Sequence, residues 1–245
     1  MVRQRHLTKA PITEALIDIR VTLPTHTRKI EHLAALEEKF RDQYPDKKNI
    51  QEFRYEFEAG PSQTEKTTSK QLGFRYSSSD NSQVIQATTS GLTFSRLRPY
   101  EDWGKLRSEA WRVWQIYSDL VRPESITRVA ARYINKLELP GPHIDFDHYL
   151  NYAPGVPKVL PQVLAGFFSR IVVPDEKGQC VAIITQVHQP GQTPSAISVI
   201  LDIDVFREKP FANEHEAWAT IDQLREFKNL IFFDSITEKS AELYQ

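Results

Sequence analysis

Four stretches between residues 50 and 98 alternate apolar with polar residues, and no helical stretch separates them. They are IQEFRYEFEA (50–59), QLGFRYSS (71–78), SQVIQATTS (82–90) and LTFSRLRP (92–99). Parallel strands need a crossover of a dozen or more residues, usually a helix, so strands this close in sequence can only form an antiparallel meander. Gly91 between the last two reads as a tight turn, and the polar run PSQTEKTTSK (61–70) reads as a loop at a hairpin tip. Doubly wound α/β folds are excluded for this part of the chain.

The flanking segments extend the pattern. EALIDIRVTL (14–23) puts Ala15, Ile17, Ile19 and Val21 on one strand face and stops at Pro24. Ile30, Leu33, Leu36, Phe40 and Tyr44 recur at three- and four-residue steps and predict one helix from about Arg28 to Tyr44. A wide apolar stripe from Trp103 to Val121 predicts a long helix over 101–121. The sequence then starts again: a strand at 126–139, a proline-broken segment, three strands (FSRIVVP, CVAIITQVHQP and AISVILDIDVF) and a helix over 214–230 opened by Asn213 with Glu216 three residues on. Ser235-Ile-Thr-Glu238 has the same spacing and predicts one more short helix. The expected fold is therefore α+β, with antiparallel sheets each packed on a long helix. An internal duplication would divide the chain into units 1–124 and 125–245, as helix-grip halves or a saddle like that of the TATA-binding protein, with one merged domain as the alternative.

Several chemistries are excluded by spacing. The nearest glycines, 155 and 166, are eleven residues apart, so no dinucleotide turn, phosphate loop or nucleophile elbow can be written. A lone Cys180 allows neither a disulfide nor a thiolate zinc cage and reads as a small buried hydrophobe. His215-Glu216 opens like a zincin helix, but Ala219 stands where the second ligand is needed. No cofactor is expected. With 31 basic against 32 acidic residues the net charge is −1, so no overall field draws a polyanion or an anionic membrane. No apolar run is long enough to span a membrane, and no secretory signal opens the chain, which gives the expectation of a cytoplasmic protein.

Three constellations carry possible chemistry. His143, Asp145, Asp147 and His148 form the densest set of metal-ligand types, with helix capping by an Asp as the plainer reading. Asp202 and Asp204 project from one face of a strand and could hold a divalent ion; the plainer reading is a solvated face opposite Val199, Leu201, Ile203 and Val205. Phe94, Arg96 and Arg98, followed by Tyr100 and Trp103, form one basic-aromatic run, and Arg128, Arg132 and Lys136 would share a strand face in another. Such a stripe could bind RNA or phosphate, or it could pair with Glu52, Glu56 and Glu58. Of the four tryptophans Trp111 fits its stripe least well and is the candidate interface anchor.

Four blocks occur in order along nearly the whole chain: Ala10-Pro-Ile-Thr-Glu-Ala-Leu-Ile-Asp-Ile-Arg20, Leu92-Thr-Phe-Ser-Arg-Leu-Arg-Pro-Tyr-Glu-Asp-Trp103, Arg128-Val-Ala-Ala-Arg-Tyr-Ile-Asn-Lys136 and Leu230-Ile-Phe-Phe-Asp-Ser-Ile-Thr237. Together they resemble a sporadically distributed family of bacterial proteins of this length that carries only an uncharacterised-family label. The resemblance implies no catalytic residues; the patchy distribution of that family is compatible with mobile or defence-associated genes. Arg96, Tyr100 and Trp103 in one block, with Arg132 and Asn135 in another, either satisfy backbone groups or line a groove between the halves. The expected function is a noncatalytic binding protein that engages a protein partner or a second copy of itself. A nucleic-acid binder using the basic stripe is the alternative, and a metal-dependent hydrolase or nuclease the second alternative.

Overall fold

A computed structural model describes residues 5–58, 64–141, 144–161, 164–190 and 196–245, with backbone alone at 54–58, 64–67 and 190. The first strand, β1 (Ile12–Thr22), is followed by two short helices, α1 (Ile30–Leu33) and α2 (Leu36–Phe40). The meander is β2 (Asp46–Glu58), β3 (Thr64–Ser77), β4 (Gln83–Thr88) and β5 (Gly91–Leu97), and it leads into α3 (Trp103–Val121). Then come β6 (Ser125–Pro140), a 3₁₀ turn at Phe146–His148, β7 (Phe168–Asp175), β8 (Cys180–Pro190) and β9 (Ala196–Glu208). The chain ends in α4 (Glu214–Ser235) and α5 (Glu238–Glu242).

All nine strands join one antiparallel sheet in the order β2-β3-β4-β5-β1-β6-β9-β8-β7. This corrects the expectation of antiparallel sheets each packed on its own long helix: the strands form a single sheet. β1 and β6, which would have been edges, pair with each other from Ile12 opposite Asn135 to Thr22 opposite Ser125. Unpaired edges would leave two long rows of N–H and C=O groups without partners, and the mutual ladder removes both. One face of the fused sheet is covered: α3 packs across β5 and β1, and α4 across β6 and β9. The buried period-2 residues of the central strands, Ala15, Ile17 and Ile19 with Val129, Ala131 and Tyr133, and with Leu201, Ile203 and Val205, belong to one continuous core with Trp114, Tyr117, Ile221 and Leu224 of the helices.

Three local expectations change. The helix of residues 28–44 is two short pieces, because Ala34, Ala35 and Glu37 each donate to the carbonyl three residues back and tighten the chain between them. The segment taken for a hairpin-tip loop is strand from Thr64 onward, opposite Glu58. The C-terminal helix forms, but its cap is Thr237, whose Oγ1 accepts from Ser240 N at 3.3 Å, rather than Ser235. Asn213 does cap α4, accepting from Glu216 N at 2.9 Å.

Gly91 opens β5 opposite Arg20 with φ +151°, and a Cβ there would lie 2.1 Å from the Ile19 carbonyl oxygen. That clash is with backbone in the middle of the sheet and cannot be relieved by a rotamer change. Gly91→Val is accordingly expected to cost about 3 kcal/mol or more, read as a lowered urea midpoint. An unchanged midpoint would mean that the β4–β5 turn is not built this way.

Candidate ligand-binding cleft

The face of the sheet turned away from the helices carries the predicted basic stripe, and every cation of the stripe holds a carboxylate. Period-2 alternation in β1, β6 and β9 sends Asp18 and Arg20, Arg128, Arg132 and Lys136, and Asp202 and Asp204 to that face. Arg128 Nη1 lies 2.8 Å from Asp18 Oδ1, and its Nη2 lies 3.5 Å from Asp204. Arg20 and Thr93 complete the shell around the buried Asp18. Arg132 meets Asp202 through two bonds, 2.8 Å from Nε and 2.5 Å from Nη2, and Lys136 pairs with Glu138 at 2.7 Å. The acidic residues answering the stripe are thus its sheet neighbours. Glu52 is exposed on β2, far across the sheet, and the side chains of Glu56 and Glu58 lie outside the described residues.

The same pairing accounts for the two candidate metal positions on β9. Asp202 and Asp204 face guanidinium groups, and the carboxyl of Asp204 is pushed up, chiefly by burial, against the opposing pull of Arg128 and Arg132. Asp145 caps the 3₁₀ turn, its Oδ1 accepting from Asp147 N at 3.0 Å, and Asp145, Asp147 and His148 are all exposed; His143 lies outside the described residues. Among the described residues no group of three or more His, Cys, Asp or Glu is placed to hold a metal ion.

The arginines of the basic-aromatic run do not join the stripe. Arg96 donates to Ser82 Oγ at 2.9 Å and pairs with Glu101 at 3.2 Å, while the Arg98 side chain is exposed. Cys180 is buried, in keeping with a small hydrophobe. Trp114 and Trp218 are core, and Trp111, 36% exposed, packs edge-on against Trp218 with centroids 5.0 Å apart.

Tyr100, Trp103 and Asn135 do converge. They line a cleft of about 560 Å³ between the N-terminal segment, the β5–α3 junction, β6 and α4. Asn135 shares the covered face of β6 with Tyr133 and Leu137; its amide donates to the Leu201 carbonyl at 3.0 Å, and it stands opposite Ile12, where the β1–β6 register shifts. Tyr133 is buried beneath α4 and sits edge-on to Tyr100, their hydroxyls 3.2 Å apart. Burial holds both phenols above the usual tyrosine range, so both stay neutral at physiological pH. Asp222 braces the walls by accepting from Trp103 Nε1 at 3.2 Å and from Arg107 at 2.7 and 2.9 Å, which ties α3 to α4.

The cleft also contains Lys228, a residue that strand and helix patterning passed over. Ile221, Leu224, Lys228 and Phe232 form the buried stripe of α4, and the lysine occupies a position that the stripe reserves for an apolar side chain. The visible signal was a stripe one step away from the Phe227–Ile231 line read from sequence; Phe227 and Ile231 are only partly buried. Lys228 is 6% exposed, its Nζ 3.6 Å from the centre of the Tyr133 ring. It donates to Asn229 Oδ1 at 2.6 Å. Burial, with Arg225 nearby and only Glu226 opposing, pushes its pKa down to about 7. The other charges around the cleft are matched: Arg5 by Glu238, Arg225 by Glu226, Glu101 by Arg96 and Lys105, and Asp102 by the α3 N-terminus that it caps. Among the described residues, Lys228 has no carboxylate within ion-pair distance.

Among the described residues no helix is long and apolar enough to cross a membrane. No family model matches the chain, and no curated protein matches it.

Proposed function

We propose that the protein is a noncatalytic binding protein whose ligand, a small carboxylic acid with an aromatic or apolar body, occupies the cleft beneath α4. One observation carries this reading: Lys228 is a buried amine lining an open cleft, and among the described residues no carboxylate lies within ion-pair distance of it. Burying an unpaired charge is costly, and an incoming carboxylate supplies the missing partner. Tyr100, Tyr133 and Phe232 offer the apolar surface on which the rest of such a molecule can lie. A nucleic-acid surface would need cations free for phosphate, whereas Arg128, Arg132 and Lys136 each hold a carboxylate, and that weighs for the cleft. With 3-phenyllactate as the probe, the thermal midpoint is expected to rise in a dose-dependent way, and Lys228→Met is expected to abolish the rise. No shift in the native protein would remove the reading. His6 also lines the cleft, and a shift that survived Lys228→Met would transfer the headgroup site to it.

A second reading, association with another copy of the chain, is favoured by the free edge of the sheet. β7 is an outer strand on which Phe168, Ile171, Val172 and Val173 are all exposed, contrary to the usual blunting of such edges. Antiparallel self-pairing centred near Val172 brings Arg170 of each copy alongside the Asp175 end of the other, a complementary closure about a two-fold axis. Sedimentation of the native chain is expected to show a dimer that Val172→Lys converts to monomer. A native monomer at high concentration would end this reading.

A further inference from the structure

Three features outside the ion-pair ladder could carry chemistry: the exposed edge of β7, the polar cluster of Tyr44, Glu109 and Arg112, and the amine at the floor of the cleft. The polar cluster satisfies itself, since the Tyr44 hydroxyl, the Glu109 carboxylate and the Arg112 guanidinium bond to one another. The amine is different. Its acceptor, Asn229 Oδ1, is a neutral amide oxygen, which a neutral amine serves as well as an ammonium does. The Tyr133 ring covers another side of the nitrogen, and the cleft lies open beside it.

We propose that Lys228 is a nucleophile that captures 2-oxo acids in this cleft as a reversible imine. The inference rests on the cleft reading above and specifies its ligand: a molecule whose carbonyl suits a neutral amine and whose adjacent carboxylate then lies beside the cationic, protonated form of the imine. In the step itself the Nζ lone pair forms a bond to the keto carbon, and the C=O π pair moves to oxygen. The amine then gives up both of its hydrogens, the oxygen leaves as water, and a C=N bond remains. Amine plus ketone gives imine plus water, no oxidant or reductant takes part, and hydrolysis runs the step backwards. Desolvated lysines with few opposing carboxylates are the form in which this side chain serves as a Schiff-base former. The charged and titratable groups that line the cleft with it are Tyr133 on β6, Tyr100, Glu101 and Asp102 at the β5–α3 junction, Arg225 and Glu226 on α4, and Arg5 and His6 on the N-terminal segment; Glu101 is engaged by Arg96 and Lys105, and Asp102 by the N-terminus of α3. Both tyrosines stay neutral, and Arg225 favours the neutral amine.

The test is reductive trapping on the full chain. Phenylpyruvate and cyanoborohydride are added at pH 7, and the modified lysines are located by peptide mass spectrometry. Lys228 is expected to be labelled at least tenfold faster than any surface lysine, since exposed lysines hold their proton until about pH 10. 3-Phenyllactate, which has the same carboxylate but no carbonyl, is expected to slow the labelling by competition. Labelling spread over surface lysines with Lys228 untouched overturns the imine. If 3-phenyllactate still raises the thermal midpoint in that case, the binding cleft stands and only the covalent step falls. If it does not, both fall. The decisive readout is made on the native sequence, so it does not depend on whether a variant folds.

Discussion

Lys228→Met is expected to make the protein more stable at pH 6, against the usual direction of substitutions in a buried position. The fold lowers the pKa of this lysine from 10.5 to about 7. Between those two values the unfolded chain holds a proton that the native state has released, so native stability rises with pH through that window. Below pH 7 both states are protonated and the full cost of a buried ammonium falls on the native state. Methionine has a similar length, fills the same slot beside Tyr133 and carries no charge. The gain is on the order of 4 kcal/mol at pH 6 and about half of that at pH 9. Urea midpoints of the two proteins at these pH values measure it. A variant less stable than the native chain at pH 6 would show that Lys228 is held by interactions other than those described. The same substitution is expected to remove ligand binding, so stability and binding are opposed at one residue, which is the usual signature of a side chain kept for what it contacts rather than for packing.

Trp114→Ala is expected to have the largest opposite effect. Its side chain is fully buried in α3, packs at 5.7 Å from Tyr117, and donates from Nε1 to Glu214 Oε1 at 2.9 Å. That bond ties the middle of α3 to the first turn of α4, so one residue serves both the core and the attachment of the two covering helices. Removing a buried Trp side chain costs about 3–5 kcal/mol. For a chain of this size that corresponds to a fall in melting temperature of roughly 10 °C or more. Trp114→Phe keeps most of the ring burial and loses the bond to Glu214, and should cost about 1–2 kcal/mol. Thermal melts followed by circular dichroism distinguish the two. If Trp114→Ala melted within about 2 °C of the native chain, Trp114 would not be the anchor of α3 on the sheet.

The elements of this fold were legible wherever a segment is amphipathic. β1, β6, β9 and α3 announce themselves because one face of each is apolar at the right period, and that face is the one found buried. The pairing of β1 with β6 was not legible. An edge strand and a central strand of a half-covered sheet show the same alternation, and the residues that meet are more than a hundred positions apart, as Asp18 and Arg128 are. The Thr64–Ser77 strand was misread over its first seven residues for a related reason. Where its side chains are described, Thr68, Ser69 and Lys70 are exposed one after another, and consecutive exposed residues leave no alternation to read. At the cleft, Tyr100, Trp103 and Asn135 were visible as polar or aromatic residues clustered beyond the needs of packing, whereas Lys228 was hidden in a helix that looked ordinary. A lysine is normally read as solvent-facing, and only the position of the helix against β6 turns this one inward.

The central ladder also sets the order in which the molecule can be made. β1 leaves the ribosome first, yet its two neighbours come much later: β5 brings Thr93, 75 residues beyond Asp18, and β6 brings Arg128, 110 residues beyond it. A chain synthesised only as far as α3 can close β1 against β5 but still presents the other side of β1 as a bare edge, with Asp18 held by Arg20 but not yet by Arg128. At about 5–20 residues per second that interval lasts seconds, and nascent chains on one message stand close enough to pair through the same edge. Contacts so distant in sequence also slow the search for the native topology. The bare edge of β1 is thus a hazard of synthesis rather than of the finished molecule, and it ends when β6 arrives to pair with it.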